Sequence, residues 1–284
     1  MPLRARRRRI RAVWALGGLV FCGALFYGVS WVSYLPQFNI STVSISGAEN
    51  IKEELITSSI ETVLDDGAYR ILSRRNIFLY PRESLEDTII KSFPLVKSVS
   101  ISRPSTLSTT IEVMIEERMA FARWCPTDEA PCYFMDERGF IYLPVDVDAA
   151  STTAQSPPST PYIFKGDIAS STDSKGSLQV SPVGQWFVQA HLPGLLSLLK
   201  FLGQAGFTPL GAEVEGQDIL VRLQEGFLLK ASFGADAGTL IKNLQLVLSS
   251  DVLQGKRGEL EYIDLRFGNR VYYKLKGQAE VGTP

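Results

Sequence analysis

The first forty residues show the sharpest contrast of polar and apolar positions in the chain. A basic cluster, Arg4, Arg6, Arg7, Arg8, Arg9 and Arg11, passes directly into a nearly unbroken apolar run from Ala12 to Tyr34, AVWALGGLVFCGALFYGVSWVSY. No charged residue occurs between Arg11 and Glu49. A helix needs roughly 20 apolar residues to cross a bilayer, and only a helix or a closed barrel satisfies its own backbone inside lipid. The pattern therefore predicts a transmembrane helix over 12–35, with Trp14 near one boundary and Trp31 and Tyr34 near the other as interfacial anchors. The arginines hold the 1–11 stub in the cytoplasm and send the rest of the chain outside it. A cleavable signal peptide is the alternative, but its apolar core is roughly 7–15 residues long and ends in a small-x-small site, whereas aromatic residues crowd this exit.

Beyond the run the periodicity shortens. Ile40, Val43 and Ile45 alternate in a strand that ends at Gly47. Asn50 stands three residues before Glu53 in the manner of a capping box. Ile51, Leu55, Ile56, Ile60, Val63 and Leu64 then follow at helical spacing until Asp65-Asp66-Gly67. Arg75-Asn76-Ile77-Phe78-Leu79 is a short apolar link. Pro81 opens a second helix through Leu85, Ile89 and Phe93. Val99 and Ile101, then Ile111, Val113 and Ile115, alternate as two strands around a turn at Pro104–Thr109. Two amphipathic helices on one face of a three-stranded sheet would bury these residues together.

A second region starts at Ala120–Leu143, where Asp136-Glu137-Arg138-Gly139 has the composition of a solvated turn between strands. Segment 146–161, DVDAASTTAQSPPSTP, lacks large apolar residues and reads as a flexible insertion, and Asp167–Gly176 is similar. Trp186, Phe187, Leu192, Leu195, Leu196, Leu198, Leu199 and Leu202 read as a helical region broken at Pro193-Gly194, with His191 a capping or surface residue. Ala212–Val214, Ile219–Leu223 and Phe227–Phe233 read as strands, and about Asp236–Leu253 as a helix. In the closing stretch Leu260, Tyr262 or Ile263, and Leu265 suit a buried strand, and Gly268-Asn269 a hairpin turn. Val271, Tyr273 and Leu275 then alternate with Arg270, Tyr272 and Lys274.

Charge sharpens the division. The net −1 of the whole chain hides an asymmetry: without the six N-terminal arginines, 23 basic residues face 30 acidic ones, near −7. No basic surface large enough for nucleic acid survives beyond the anchor. Of three cysteines, Cys22 lies in the apolar run, while Cys125 and Cys132 bound a Pro-containing loop. Outside the cytoplasm that pair can oxidise; two free thiols, or half of a zinc site, are the alternatives.

The order strand, helix, helix, strand, strand resembles a POTRA domain, and particular residues are similar to the bacterial cell-division family FtsQ/DivIB. They are Phe93-Pro94-Leu95-Val96-Lys97-Ser98-Val99, Arg103-Pro104, Ile111–Arg118, Asp136 with Gly139, and Ile263-Asp264-Leu265-Arg266-Phe267 before a short aromatic strand. Met119 departs from the proline that the family often carries after the Glu-Arg pair. The expected fold class is α+β: a single N-terminal transmembrane helix, a POTRA-like domain over 38–118, and a second domain over 119–276 with a mostly antiparallel sheet ending in an edge strand, then a 277–284 tail.

No motif supports catalysis. His191 is the only histidine and has no nucleophile placed beside it, no metal-ligand cluster is spaced for zinc, and no glycine-rich phosphate loop occurs. The resemblance implies a non-enzymatic scaffold of the division septum, without cofactor, metal, nucleic acid or small-molecule substrate. It would bind FtsB/DivIC-like and FtsL-like single-pass proteins outside the cytoplasm by strand addition. The expected partner-binding residues are Phe267, Asn269, Arg270, Val271, Tyr272, Tyr273 and Lys274. Nothing after Gly277 looks able to cover the far side of that last strand; the alternative is that Ala212–Val214 covers it. A membrane-anchored cell-wall hydrolase with distant paired carboxylates and a POTRA-type assembly chaperone are the competing functions.

Overall fold

The computed structural model describes residues 3–65, 71–126, 131–145, 160–166, 168, 181–268, 270–277 and 281–282, with the side chains of 3–10 and 281–282 excepted. The protein divides into two compact units, Met1–Arg118 and Met119–Pro284, each with its own hydrophobic core.

In the first unit, α1 runs Leu3–Ser33. Its apolar part, Arg11–Ser33, is 23 residues, exposed over nearly all its length, and long and apolar enough to span a membrane. At 1.5 Å per residue it covers about 35 Å, against the roughly 30 Å of a bilayer's hydrocarbon core. A short 3₁₀ turn, Pro36–Phe38, leads into β1 (Thr42–Ser46). Then come α2 (Glu53–Leu64), α3 (Arg82–Ser92), β2 (Val96–Ser102) and β3 (Thr110–Glu117). The sheet order is β1-β3-β2, with β1 parallel and β2 antiparallel to β3. Ile56, Ile60 and Leu64 from α2 and Leu85 and Ile89 from α3 meet Ile111, Val113 and Ile115, the inward alternate residues of β3.

The expected capping box does not form. Lys52, with no side-chain bond to the helix, is the N-cap of α2. The free N–H groups ahead of it go instead to Glu117, at the end of β3. Its carboxylate accepts from the backbone of Glu49 (2.9 Å), Asn50 (2.9 Å) and Ile51 (3.2 Å), and from the Asn50 side chain (2.7 Å).

The end of α1 is bonded to the link before α3. The Ser33 carbonyl accepts from Asn76 Nδ2 (3.1 Å), and the Ser33 hydroxyl accepts from the Ser73 N–H (3.2 Å) and donates to the Ser30 carbonyl (2.7 Å). Ser30 Oγ donates to the carbonyl of Ile71. Just beyond, the Ile77 N–H donates to Phe38 O and the Ile40 N–H to Arg75 O, both at 2.8 Å. Ser33, Ser73 and Asn76 are all buried, so this cluster is a fully engaged polar joint.

In the second unit, β4 (Ala122–Trp124), β5 (Tyr133–Met135), β6 (Ile141–Pro144) and β7 (Tyr162–Gly166) precede α4 (Leu192–Gln204). After it come β8 (Pro209–Glu215), β9 (Asp218–Leu223), β10 (Leu228–Ser232) and α5 (Ala237–Leu248). The unit closes with β11 (Leu260–Phe267), β12 (Arg270–Leu275) and β13 (Val281–Gly282). All ten strands form one sheet in the order β13-β12-β11-β10-β9-β8-β7-β4-β5-β6. The pairs β4–β7, β7–β8 and β10–β11 are parallel and the others antiparallel. Helices α4 and α5 pack on each other and on the sheet, burying Leu195, Leu199, Leu202, Leu240 and Leu244 against inward residues such as Val221, Leu229, Ile263 and Tyr273.

Several local expectations change. Trp186 and Phe187 are not helical: they bridge to Phe140 and Ile168, and α4 starts only at Leu192, with Pro193 in its first turn. Proline fits there because the first-turn N–H has no helical partner to lose. His191 keeps its expected place, exposed at the N-cap position, though without a capping bond; its ring stacks on Phe233 at 4.5 Å. Asp136 is 5 % exposed rather than solvated, its carboxylate accepting from the N–H groups of Arg138 and Phe140 and closing the turn. Of the expected insertion 146–161, only Thr160 and Pro161 lie among the described residues, and of Asp167–Gly176 only Ile168.

Candidate partner-binding edge

The two ends of the ten-stranded sheet differ. At one end β6 finishes on Pro144, which has no N–H, and its outer side is bonded at Ile141: the Ile141 N–H donates to Gln185 O (3.0 Å) and the Gly184 N–H to Ile141 O (2.8 Å). At the other end the outer side of β12, a six-residue strand, is paired among the described residues with the two-residue β13, Tyr272 with Gly282 and Tyr273 with Val281. The expectation that nothing after Gly277 covers this strand is thereby corrected. The cover is short, and it comes from the tail; Ala212–Val214 lies in β8, between β7 and β9. A strand edge with unshared N–H and C=O groups is a template for a further strand.

The expected site residues divide by the two-residue period of β12. Val271 and Tyr273 point into the helix-covered core, Tyr273 being 4 % exposed, so neither side chain can face a partner. Tyr272 and Lys274 are half-buried on the opposite, helix-free face, opposite Asp264 and Tyr262 of β11. Arg270 is exposed at the start of β12 and pairs with Phe267, which ends β11 at 54 % exposure. The Phe267 ring meets the Tyr272 ring edge-on at 5.1 Å, and the Arg266 guanidinium lies 5.6 Å from its centroid. Asn269 lies outside the described residues. Lys274 is not an open positive charge: Nζ is 3.0 Å from Glu261 Oε1.

Behind the edge stands a charge cluster that the sequence did not reveal. Arg266 binds Asp264 through Nε (2.9 Å) and Nη2 (2.6 Å), and Asp218 of β9 through Nη1. Ser232 Oγ donates to Asp218 at 3.0 Å. The hydrogen bond from Arg266 holds the Asp218 carboxyl below its ordinary value, and the bond to Asp264, against the cost of burial, drives the guanidinium pKa further up. Arg266 and Asp264 are two apart in a strand and so share a face. Asp218 is 48 residues from Arg266, and no local signal announces it. The cluster ties β11 to β9 across β10 and fixes the platform on which β12 lies.

Cys125 and Cys132 are joined as a disulfide. Strands β4 and β5, beside it, are six and seven places from β12 in the sheet order, about 30 Å at the usual strand spacing. The bond therefore plays no direct part at this edge. The helix-free face has a hollow over Gly211, lined by Ile163, Lys165, Glu213, Leu220 and Arg222. It holds about 150 Å³, well below the ~300–1,000 Å³ of ordinary small-molecule sites. Among the described residues no group of three His, Cys, Asp or Glu side chains could hold a metal ion.

No protein-family model and no curated protein matches the chain.

Proposed function

We propose that the protein is a non-enzymatic, single-pass membrane scaffold of the FtsQ/DivIB type. In this reading α1 is the anchor, its arginine stub stays in the cytoplasm, and both compact units lie outside. The Cys125–Cys132 disulfide supports a compartment where thiols oxidise. The carrying observation is the edge at β12, a six-residue strand whose outer side carries, among the described residues, a two-residue cover, while the four-residue β6 at the other end is bonded on its outer side at Ile141 and ends in proline.

A strand from a second single-pass division protein, FtsB/DivIC-like or FtsL-like, adds to β12 in place of β13. Main-chain bonds supply affinity, and the side chains that reach solvent supply selection. Those are Phe267, Arg270 and Tyr272, while Val271 and Tyr273 hold the strand from below. Because Lys274 already has Glu261, attraction for an acidic partner segment falls chiefly to Arg270.

The test is photocrosslinking in native septal membranes with the full chain. A photoreactive residue at Arg270 should capture the extracytoplasmic segment of a single-pass division protein; one at Leu143, on β6, should not. Capture at Leu143 with none at Arg270 would remove β12 as the docking edge. A reporter fused after Pro284 that is active in the cytoplasm would remove the compartment.

A further inference from the structure

We propose that the first folded unit sits on the bilayer itself, with Ile71, Leu72, Phe78, Leu79 and Leu107 dipped into the lipid interface and Arg75 and Arg103 at anionic headgroups. The proposal rests on the reading of α1 as a membrane anchor.

The argument starts from depth. Ser30 is three residues inside the C-terminal end of the 23-residue apolar span that ends at Ser33. At 1.5 Å per residue it is about 4.5 Å below the helix exit. Yet Ser30 Oγ donates to the main chain of Ile71. The segment beginning at Ile71 therefore runs alongside the last turn of the span, not above it. The joint through Ser33, Ser73 and Asn76 holds it there, with each of these three residues buried and hydrogen-bonded. A polar segment at that depth would be costly to place in lipid. Four of its exposed side chains are apolar, Ile71 and Phe78 each at 56 % with Leu72 and Leu79 beside them, and Arg75 is the exposed cation among them.

The turn between β2 and β3 lies at the same end. Strand β1 leaves the membrane helix at Thr42, and β3 runs parallel to it with Thr110 opposite Thr42. The turn before Thr110 is thus at the helix-proximal edge of the sheet. Leu107 projects from it, exposed, and Arg103 stands over the rings of Phe78 (5.7 Å) and Tyr80 (5.9 Å). Aromatic rings and exposed aliphatics rimmed by arginine make an interfacial composition: rings settle at headgroup level, and guanidinium groups reach lipid phosphate. An apolar patch on a water-facing surface is otherwise a liability. Here continuity with α1 identifies lipid as the occupant.

The experiment places nitroxide labels on the full chain in vesicles of phosphatidylethanolamine and phosphatidylglycerol. It compares collision with oxygen, which concentrates in lipid, and with a neutral nickel chelate, which stays in water. The native Cys22, within the span, is the anchor control. In a Cys22→Ala background, Ile71→Cys and Phe78→Cys replace exposed side chains, and Glu54→Cys, in the first turn of α2, is the water control. We expect oxygen to dominate at 71 and 78, as at 22, and the chelate to dominate at 54. If Cys22 reports lipid while 71 and 78 report water, the patch does not enter the bilayer and the proposal is overturned with the anchor intact. If Cys22 reports water, the anchor reading itself fails. Immobilised labels at 71 and 78 that neither reagent reaches mean that protein covers the patch, which also overturns it.

Discussion

Removing the tail after Gly277 tests the edge directly. Strand β13 meets β12 over two residues only. A net backbone hydrogen bond contributes about 0.5–1.5 kcal/mol, so two such bonds supply roughly 1–3 kcal/mol. Ordering two residues of tail backbone costs about 1–2 kcal/mol each, which nearly cancels that gain. The tail is therefore a weak cover, worth at most about 1 kcal/mol. Since about 1.4 kcal/mol is tenfold in an equilibrium constant, truncation should tighten binding of an added strand by no more than about fivefold, and never weaken it. The assay has two parts on the full chain and the truncated chain: amide hydrogen exchange across Arg270–Leu275, and titration with the partner segment captured at Arg270. Exchange should quicken at one of Tyr272 and Tyr273, the one whose N–H faces the tail, because alternate N–H groups point to opposite edges of a strand, and the partner should restore protection. Unchanged exchange would mean that the tail leaves the edge open in solution. Partner binding that falls on truncation would refute the reasoning, because β13 would then be part of the docking surface rather than its occupant.

Glu117→Ala leaves three backbone N–H groups and the Asn50 amide without their acceptor, and should destabilise the first unit by about 1–3 kcal/mol in chemical denaturation; an unchanged midpoint would show that water replaces the carboxylate at no cost. Cys132→Ala opens a loop with a sequence separation of 7 and should cost on the order of 2 kcal/mol in the second unit, a loss that reducing agent reproduces in the parent and does not deepen in the variant. The acid limb of stability follows from three carboxylates. Asp218 is held below its ordinary 3.8 by the bond from Arg266, and Asp236 below 3.8 by the Thr239 backbone and hydroxyl. Glu86 is pushed up by burial, but the bonds from Arg82 and the Ile101 N–H outweigh it and bring it below 4.5. Lowered folded values mean stability that is complete above the ordinary values and lost as pH falls through the folded ones; thermal unfolding should be level from about pH 7 to 5 and decline below about pH 4, and Asp218→Asn should flatten part of that decline.

How much of this was legible follows from the range of each signal. The apolar helix was read because lipid allows one answer for a run of that length. The alternation Val271, Tyr273, Leu275 marks the strand because its period is two, but it does not say which face is inward, and the expectation that Val271 and Tyr273 bind a partner fails because both are buried. Trp186 and Phe187 resemble helix in sequence because a short apolar run has no period of its own to separate helix from extended chain. Asn50 and Glu53 satisfy the local rule for a cap of α2, while the acceptor that forms is Glu117, 67 residues from Asn50. For the partner edge, the pattern located β12 and its two faces. The tail's return was invisible, since a two-residue strand carries no pattern, and so was Asp218, whose link to Arg266 exists only through the sheet order.

The crossover through α5 also governs when the edge exists. Strands β10 and β11 are parallel, so no tight turn can join them, and the chain crosses by way of α5 before the β11–β12 hairpin can be laid down. Until then the outermost strand of the growing sheet is β10, which offers the sequence Leu228–Ser232 rather than that of β12. A chain that stops early, or whose α5 fails to dock, displays a different strand with a different sequence. Under the proposed strand addition, recruitment at β12 would be a form of proofreading, in which only a finished molecule presents the surface that a partner can read.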